Sequence, residues 1–114
     1  MKVAIVGSRD YNDYQDFSAI ISDFRKDNQV DMIISGGAKG ADTMAYQYAV
    51  EHGITFVCHP PKAEDGSQKF LRRNLRIVAQ CEFLLAFPKG KSAGTRHSIG
   101  LAKKLKIHGK VFEK

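Results

Sequence analysis

The chain predicts an α/β fold: a Rossmann-like three-layer sandwich with a mostly parallel sheet of about five strands and four helices. Three observations lead there. Short apolar runs of strand length recur along the chain, and most are ended by Gly, Ser or Pro. Between them, apolar residues fall at helical spacing. Strands alternating with helices imply right-handed crossovers and a parallel sheet covered on both faces.

The elements follow in order. Val3–Val6 is a continuous apolar run stopped by Gly7, the pattern of a strand buried on both faces. Phe17, Ile20, Ile21 and Phe24 recur at helical spacing and predict a helix over 14–27. Met32–Ile34 is a second strand, ended by Ser35-Gly36-Gly37. A helix over Ala41–His52 carries Ala45, Tyr48 and Ala49 on one face, and Gly53 closes it. Thr55–Cys58 is a third strand, stopped by Pro60-Pro61. After a polar loop over 59–68, Leu71, Leu75, Val78 and Ala79 predict the inner face of a third helix. Phe83–Phe87 is a fourth strand, ended by Pro88. Ile99, Ala102 and Leu105 mark a last helix, which Gly109 is expected to break, and Lys110–Phe112 forms a final short strand.

At 114 residues and 43% hydrophobic content, the chain reads as one domain over 1–114 with enough core to fold unaided. Two cysteines, Cys58 and Cys81, fit no disulfide framework. The apolar N-terminal run is too short for a signal peptide, and no stretch approaches the ~18 apolar residues that span a bilayer. The expectation is a reduced, soluble, cytoplasmic protein that does not engage membranes. The net charge of +6 is unevenly spread. Residues 1–88 carry ten Lys/Arg and eleven Asp/Glu, whereas residues 89–114 carry eight Lys/Arg and one Glu. A basic end suits an anionic partner, although lysines such as Lys103, Lys104, Lys106 and Lys110 equally suit a solvated helix face.

Ligands of parallel α/β sheets bind beyond the carboxyl ends of the strands. Three glycine-bearing loops fall there: Gly7-Ser8-Arg9-Asp10, Ser35-Gly36-Gly37-Ala38-Lys39-Gly40-Ala41-Asp42, and Pro88–Arg96. Glycine admits close backbone approach, and helix N-termini offer unpaired N–H groups to phosphate. Gly36, Gly37 and Gly40 are read as wrapping a phosphate, with Lys39 supplying charge. Arg9 and Arg96 are read as bidentate phosphate contacts, against the alternative of unengaged surface arginines. Asp42 either stabilises its helix N-terminus or accepts a bond from a ribose hydroxyl. Thr95 either contacts phosphate or caps the last helix. Arg73 and Asn74 could reach the cleft from the third helix, although Asn74 could simply cap it. Tyr11 and Tyr14 could stack on a base, but Asp10, Asp13 and Asp16 beside them would repel a long phosphate backbone.

Other chemistries fit poorly. Gly90-Lys91-Ser92 resembles a P-loop end, but the first glycine of that motif would fall at Leu85. The first strand–helix turn holds one glycine, not GxGxxG, which disfavours NAD. The His and Cys residues lack metal-ligand spacing, and neither a metal nor a cofactor is expected. Cys58-His59 reads as a strand end rather than a nucleophile with its base.

Along these loops the chain resembles the SLOG (SMF/DprA–LOG) superfamily, particularly its small YspA-like branch. Val6-Gly7-Ser8-Arg9 opens the likeness. Ser35–Asp42 is similar to that branch's GGARGAD signature, with Lys39 in place of Arg. Arg73-Asn74 resembles the RN pair of the third helix. Phe87-Pro88-Lys89-Gly90 with Gly94-Thr95-Arg96 resembles the FPGG…GTR loop. The resemblance implies a Rossmann-like fold and a nucleotide-type ligand. It extends the ligand-binding set to Gly7, Ser8, Ser35, Pro88, Gly90 and Gly94, and implies self-association. The Lonely Guy branch hydrolyses the N-glycosidic bond of nucleoside monophosphates with a Glu in PGGxGTxxE. Here that position is Ser98, and Lys89 replaces the first glycine, so the activity does not carry over directly. A hydrolase would need Asp10, Asp42 or Glu64 instead. The DprA branch binds single-stranded DNA with a loop much like SGGAKGAD.

The sequence therefore favours a nucleotide-binding protein taking a phosphate-bearing nucleotide or an ADP-ribose-like ligand at the sheet's carboxyl edge. The alternatives are a nucleotide N-glycosidic hydrolase and a single-stranded DNA-binding module.

Overall fold

The computed structural model describes residues 1–114. Five strands alternate with four helices: β1 (Lys2–Gly7), α1 (Tyr14–Asp27), β2 (Met32–Ser35), α2 (Ala41–His52), β3 (Thr55–Cys58), α3 (Lys69–Gln80), β4 (Phe83–Phe87), α4 (Ala93–Lys104) and β5 (His108–Val111). A short 3₁₀ segment, Ala63–Gln68, precedes α3. The sheet order is β3-β2-β1-β4-β5, with every neighbouring pair parallel. This is the α/β sandwich the alternation predicts.

Strand alternation divides the core into two layers. Val3, Ile5, Ile33, Leu85 and Phe87 face Phe17, Ile21 and Phe24 of α1 and Met44, Ala45 and Tyr48 of α2. Ala4, Val6, Ile34, Leu84 and Ala86 face Ile77 and Val78 of α3 and Ala102 of α4. Both faces of β1 and β4 are thus covered, which is why their sequences are continuous apolar runs. Complete burial of a side chain such as Phe17 or Ile33 contributes about 1.5–3 kcal/mol. Asp13 caps α1, its carboxylate accepting from the Asp16 N–H at 3.1 Å.

Two sequence expectations shift. The inner face of α3 is Asn74, Ile77 and Val78, while Leu71 and Leu75 are 46% and 44% exposed and Ala79 is exposed. The polar Asn74 takes an inner position because it bridges to α4 and to its own neighbour, as described below. That turns the leucines outward. The last helix ends at Lys104, with Leu105 as its C-cap before a left-handed Lys106, and not at Gly109. Gly109 lies within β5 against the Leu84 carbonyl, so β5 starts at His108 rather than Lys110. No helix is long and apolar enough to cross a membrane.

Candidate functional site

The strand order reverses between β1 and β4. The chain leaves β1 toward α1 on one face and leaves β4 toward α4 on the other, so a crevice opens between the two loops. A cavity of about 660 Å³ lies there, on the scale of a small-molecule ligand. Gly7, Ser8, Arg9 and Asp10 line it from the β1 loop, and Lys89, Gly90, Lys91, Ser92, Ala93, Gly94 and Thr95 from the β4 loop and the start of α4. Ala38 and Asp42 contribute from the β2 loop and α2, and Phe70, Arg73 and Asn74 from α3. Buried Val6, Ile77 and Ser98 complete the lining.

The first turn of α4 has no side-chain cap. The helix ladder starts with Arg96 N–H donating to the Ser92 carbonyl at 3.0 Å, which leaves the N–H groups of Ala93, Gly94 and Thr95 without protein partners. These donors sit at the positive end of the helix dipole, on the cavity wall. Arg9, Arg73, Lys89 and Lys91 supply formal positive charge to the same lining, against Asp10 and Asp42. The site can therefore neutralise an anion with backbone donors and with charge.

Arg73 is fixed from both ends. Its Nη1 donates to the Gly36 carbonyl at 3.0 Å, and its Nε to Asn74 Oδ1 at 2.9 Å. Asn74 Nδ2 in turn reaches His97 Nδ1 at 3.2 Å and the Gly94 carbonyl at 3.5 Å. One bonded chain thus links the β2 loop, α3 and the start of α4. Gly36 is required for it, since a Cβ there would lie 2.4 Å from Arg73 Nη1.

Asp42 is 7% exposed and accepts from the Ala38 N–H at 3.0 Å, tying the β2 loop to α2. Burial raises its pKa above the ordinary aspartate value, against the opposing pull of its hydrogen bonds and of Arg73. A raised folded-state pKa means ionised Asp42 costs stability, and that cost grows as pH climbs from the ordinary aspartate value through the raised one. Asp42→Asn keeps an acceptor for Ala38 and carries no charge. It is expected to raise the melting temperature at pH 7, with the gain shrinking as pH falls from the raised value to the ordinary aspartate value and vanishing below it; thermal melts across pH 3–7 check this.

Of the sequence-predicted residues, the structure gathers Gly7, Ser8, Arg9, Asp42, Arg73, Asn74, Gly90, Gly94 and Thr95 around the cavity. Ser35, Gly36, Gly37, Lys39, Gly40, Pro88 and Arg96 fall outside its lining. Ser35 is buried with Oγ donating to the Ile5 carbonyl at 2.8 Å, and Pro88 is fully buried. Lys39 is exposed. Arg96, expected to point at the cleft, turns to Glu113, with Nη1 and Nη2 donating to its two carboxylate oxygens at 3.0 and 2.9 Å. The proposed stacking tyrosines are also engaged elsewhere. Tyr11 is buried against Phe87, its hydroxyl donating to Asp16, and the Tyr14 hydroxyl donates to Glu51. Glu64 does not reach the cavity. Ser98 does, with its hydroxyl donating back to the Gly94 carbonyl at 3.3 Å.

Sequence reasoning missed Phe70. It is 48% exposed at the cavity, with Lys69 Nζ 5.2 Å and Arg73 Cζ 5.9 Å from its ring centroid. An aromatic at the start of a helix between two cations was a readable signal, but periodicity assigned the leucines beside it to the core and passed over the ring.

Known proteins share this architecture. The chain is 31% identical to the Gene 61 protein of Mycobacterium phage D29, over 93% of this chain and 91% of that protein. It superposes on DNA processing protein A from Helicobacter pylori, studied for its single-stranded DNA binding mode, with a TM-score of 0.74 and 21% identity over 97% of this chain. The X-ray structure of DprA from Streptococcus pneumoniae gives a TM-score of 0.76 and 24% identity over 98% of this chain. The chain spans 64% and 49% of those two chains, and the likeness to them is one of fold. Residues 1–66 match the family model described as YspA, cpYpsA-related SLOG family, and the chain belongs to that family.

Proposed function

We propose that the crevice between the β1 and β4 loops binds a phosphate-bearing nucleotide or an ADP-ribose-like ligand. The supporting observation is the uncapped first turn of α4, whose free N–H groups line a cavity that also holds Arg9, Arg73, Lys89 and Lys91. The phosphate sits on those donors, and the exposed ring of Phe70 offers a face on which a base stacks. The reading is one of binding: Ser98 stands where the phosphoribohydrolase branch has its Glu, and its hydroxyl is held by the Gly94 carbonyl. Membership of a DprA-containing superfamily, and the cationic flanks of Phe70, support a second reading in which the same edge takes single-stranded DNA.

Calorimetric titration with AMP, ADP-ribose, ribose 5-phosphate and an oligothymidylate, each at two salt concentrations, separates the readings. Saturable binding of AMP or ADP-ribose with mild salt dependence is the expected result. Phe70→Ala is expected to weaken AMP about 5- to 150-fold, the scale of a lost base–aromatic stack, and to leave ribose 5-phosphate unchanged. Steeply salt-dependent oligonucleotide binding with negligible mononucleotide affinity would favour the DNA reading. Absence of both would overturn the site.

A further inference from the structure

We infer that the last residues of the chain form a strap that holds the β4–α4 loop in its anion-binding shape, with Glu113 and Arg96 as positioning residues. The inference rests on the cleft reading above for its effect on ligand, but the strap itself stands on geometry. The β4–β5 ladder ends at Ala86 and Val111, yet the chain continues alongside the loop. Phe112 N–H donates to the Ala86 carbonyl and Lys114 N–H to the Pro88 carbonyl, both at 2.8 Å. The Phe112 ring stacks on Phe87 with centroids 5.2 Å apart. Between these anchors, the Glu113 carboxylate takes both terminal nitrogens of Arg96.

The rest of that guanidinium reaches into the loop. Arg96 Nη2 also donates to the Gly90 carbonyl at 2.7 Å, and Nε to the Lys91 carbonyl at 2.9 Å. This segment needs holding. Gly90 has φ +66° and Ser92 has φ +41°, a left-handed conformation that disfavours a non-glycine residue. The turn at Ser92 is what presents the N–H groups of Ala93, Gly94 and Thr95 to the cavity. Arg96 thus shapes the anion site from outside it, with its planar fork shared between a carboxylate and two carbonyls. Lysine cannot reproduce that arrangement. Lys114 ties the strap to the segment after β1, its Nζ 2.8 Å from Asp16 and 5.5 Å from the centroid of the Tyr11 ring. Exposed ion pairs of this kind contribute little to global stability, so their effect is local order.

The test uses the 114-residue chain with Glu113→Gln and Arg96→Lys, reading hydrogen–deuterium exchange of residues 90–95 without ligand, AMP affinity, and the melting temperature. Both variants are expected to speed exchange across 90–95 and to weaken AMP about five- to tenfold, the scale of one ordinary net hydrogen bond, with melting nearly unchanged. The double variant is expected to be no worse than Arg96→Lys alone, because the two residues act as one unit. Unchanged exchange or unchanged AMP affinity in Glu113→Gln overturns the inference. So does tighter AMP binding, which would make Glu113 a competitor for Arg96. If the wild-type chain binds no AMP, the cleft reading fails, and the exchange measurement still decides whether the strap orders the loop.

Discussion

Gly40→Ala is expected to lower the melting temperature by at least about 8 °C and to abolish ligand binding. Gly40 precedes α2 with φ 77° and ψ −126°, a backbone region open essentially to glycine alone, and forcing another residue there costs about 1–3 kcal/mol. Space is short as well. A Cβ on Gly40 would lie 2.3 Å from the Ser8 carbonyl oxygen and 2.8 Å from that of Arg9. These are backbone atoms, which cannot swing aside, and such overpacking adds about 1–3 kcal/mol. The combined cost converts at roughly 4 °C or more per kcal/mol for a domain of this size. To relieve the clash, the β1 loop must move from the β2 loop, which displaces Ser8 and Arg9 from the cavity wall. Gly100→Ala is the matching control. It lies mid-helix in α4 with nothing within 4 Å of its Cβ, so it should stabilise by about 0.5–1 kcal/mol. Equal melting temperatures for wild type and Gly40→Ala would show that the two loops do not depend on this contact.

Gly40 also shows what was legible in the sequence. Three glycines within residues 36–40 signalled a demanding backbone, and the structure has one, but with a different use. Gly40 admits the β1 loop and Gly36 admits Arg73, so the glycine-dependent geometry packs protein against protein behind the cavity. Composition and motif order announce tight geometry; they do not say whether ligand or protein fills the space. Helix α1 and strand β4 match the sequence pattern because their apolar residues are buried, Phe17, Ile21 and Phe24 along one face of α1 and Leu84–Phe87 on both faces of β4. Where the reading slipped, long-range polar contacts decided the outcome. Asn74 bonds inward to His97 and Arg96 outward to Glu113, partners 23 and 17 residues away. Phe70 is exposed for the same reason: the polar chain through Asn74 sets the rotation of α3 and leaves the ring at the cavity mouth. Local pattern carries no information about such pairings.

Gly94→Ala is expected to move stability and binding in opposite directions. Gly94 is the second residue of α4, lines the cavity, and has nothing within 4 Å of a built Cβ. Alanine is the better helix former, so the variant should fold at least as well as wild type, with a gain of up to about 1 kcal/mol. Its methyl group would nevertheless stand beside the free N–H groups of Ala93, Gly94 and Thr95, on the ground the proposed phosphate occupies. Holding a phosphate off even one of these donors forfeits a charge-assisted hydrogen bond of about 1.5–3 kcal/mol, or roughly 10- to 150-fold in affinity. Melting and AMP titration on the same preparation make the comparison. A stabilised variant that binds AMP as tightly as wild type would move the phosphate away from the start of α4. A stabilised variant that has lost AMP would support placing it there, because unfolding could not explain the loss. A bulkier Gly94→Val should deepen the binding defect while melting close to wild type, since valine and glycine differ by less than about 0.5 kcal/mol in helix propensity.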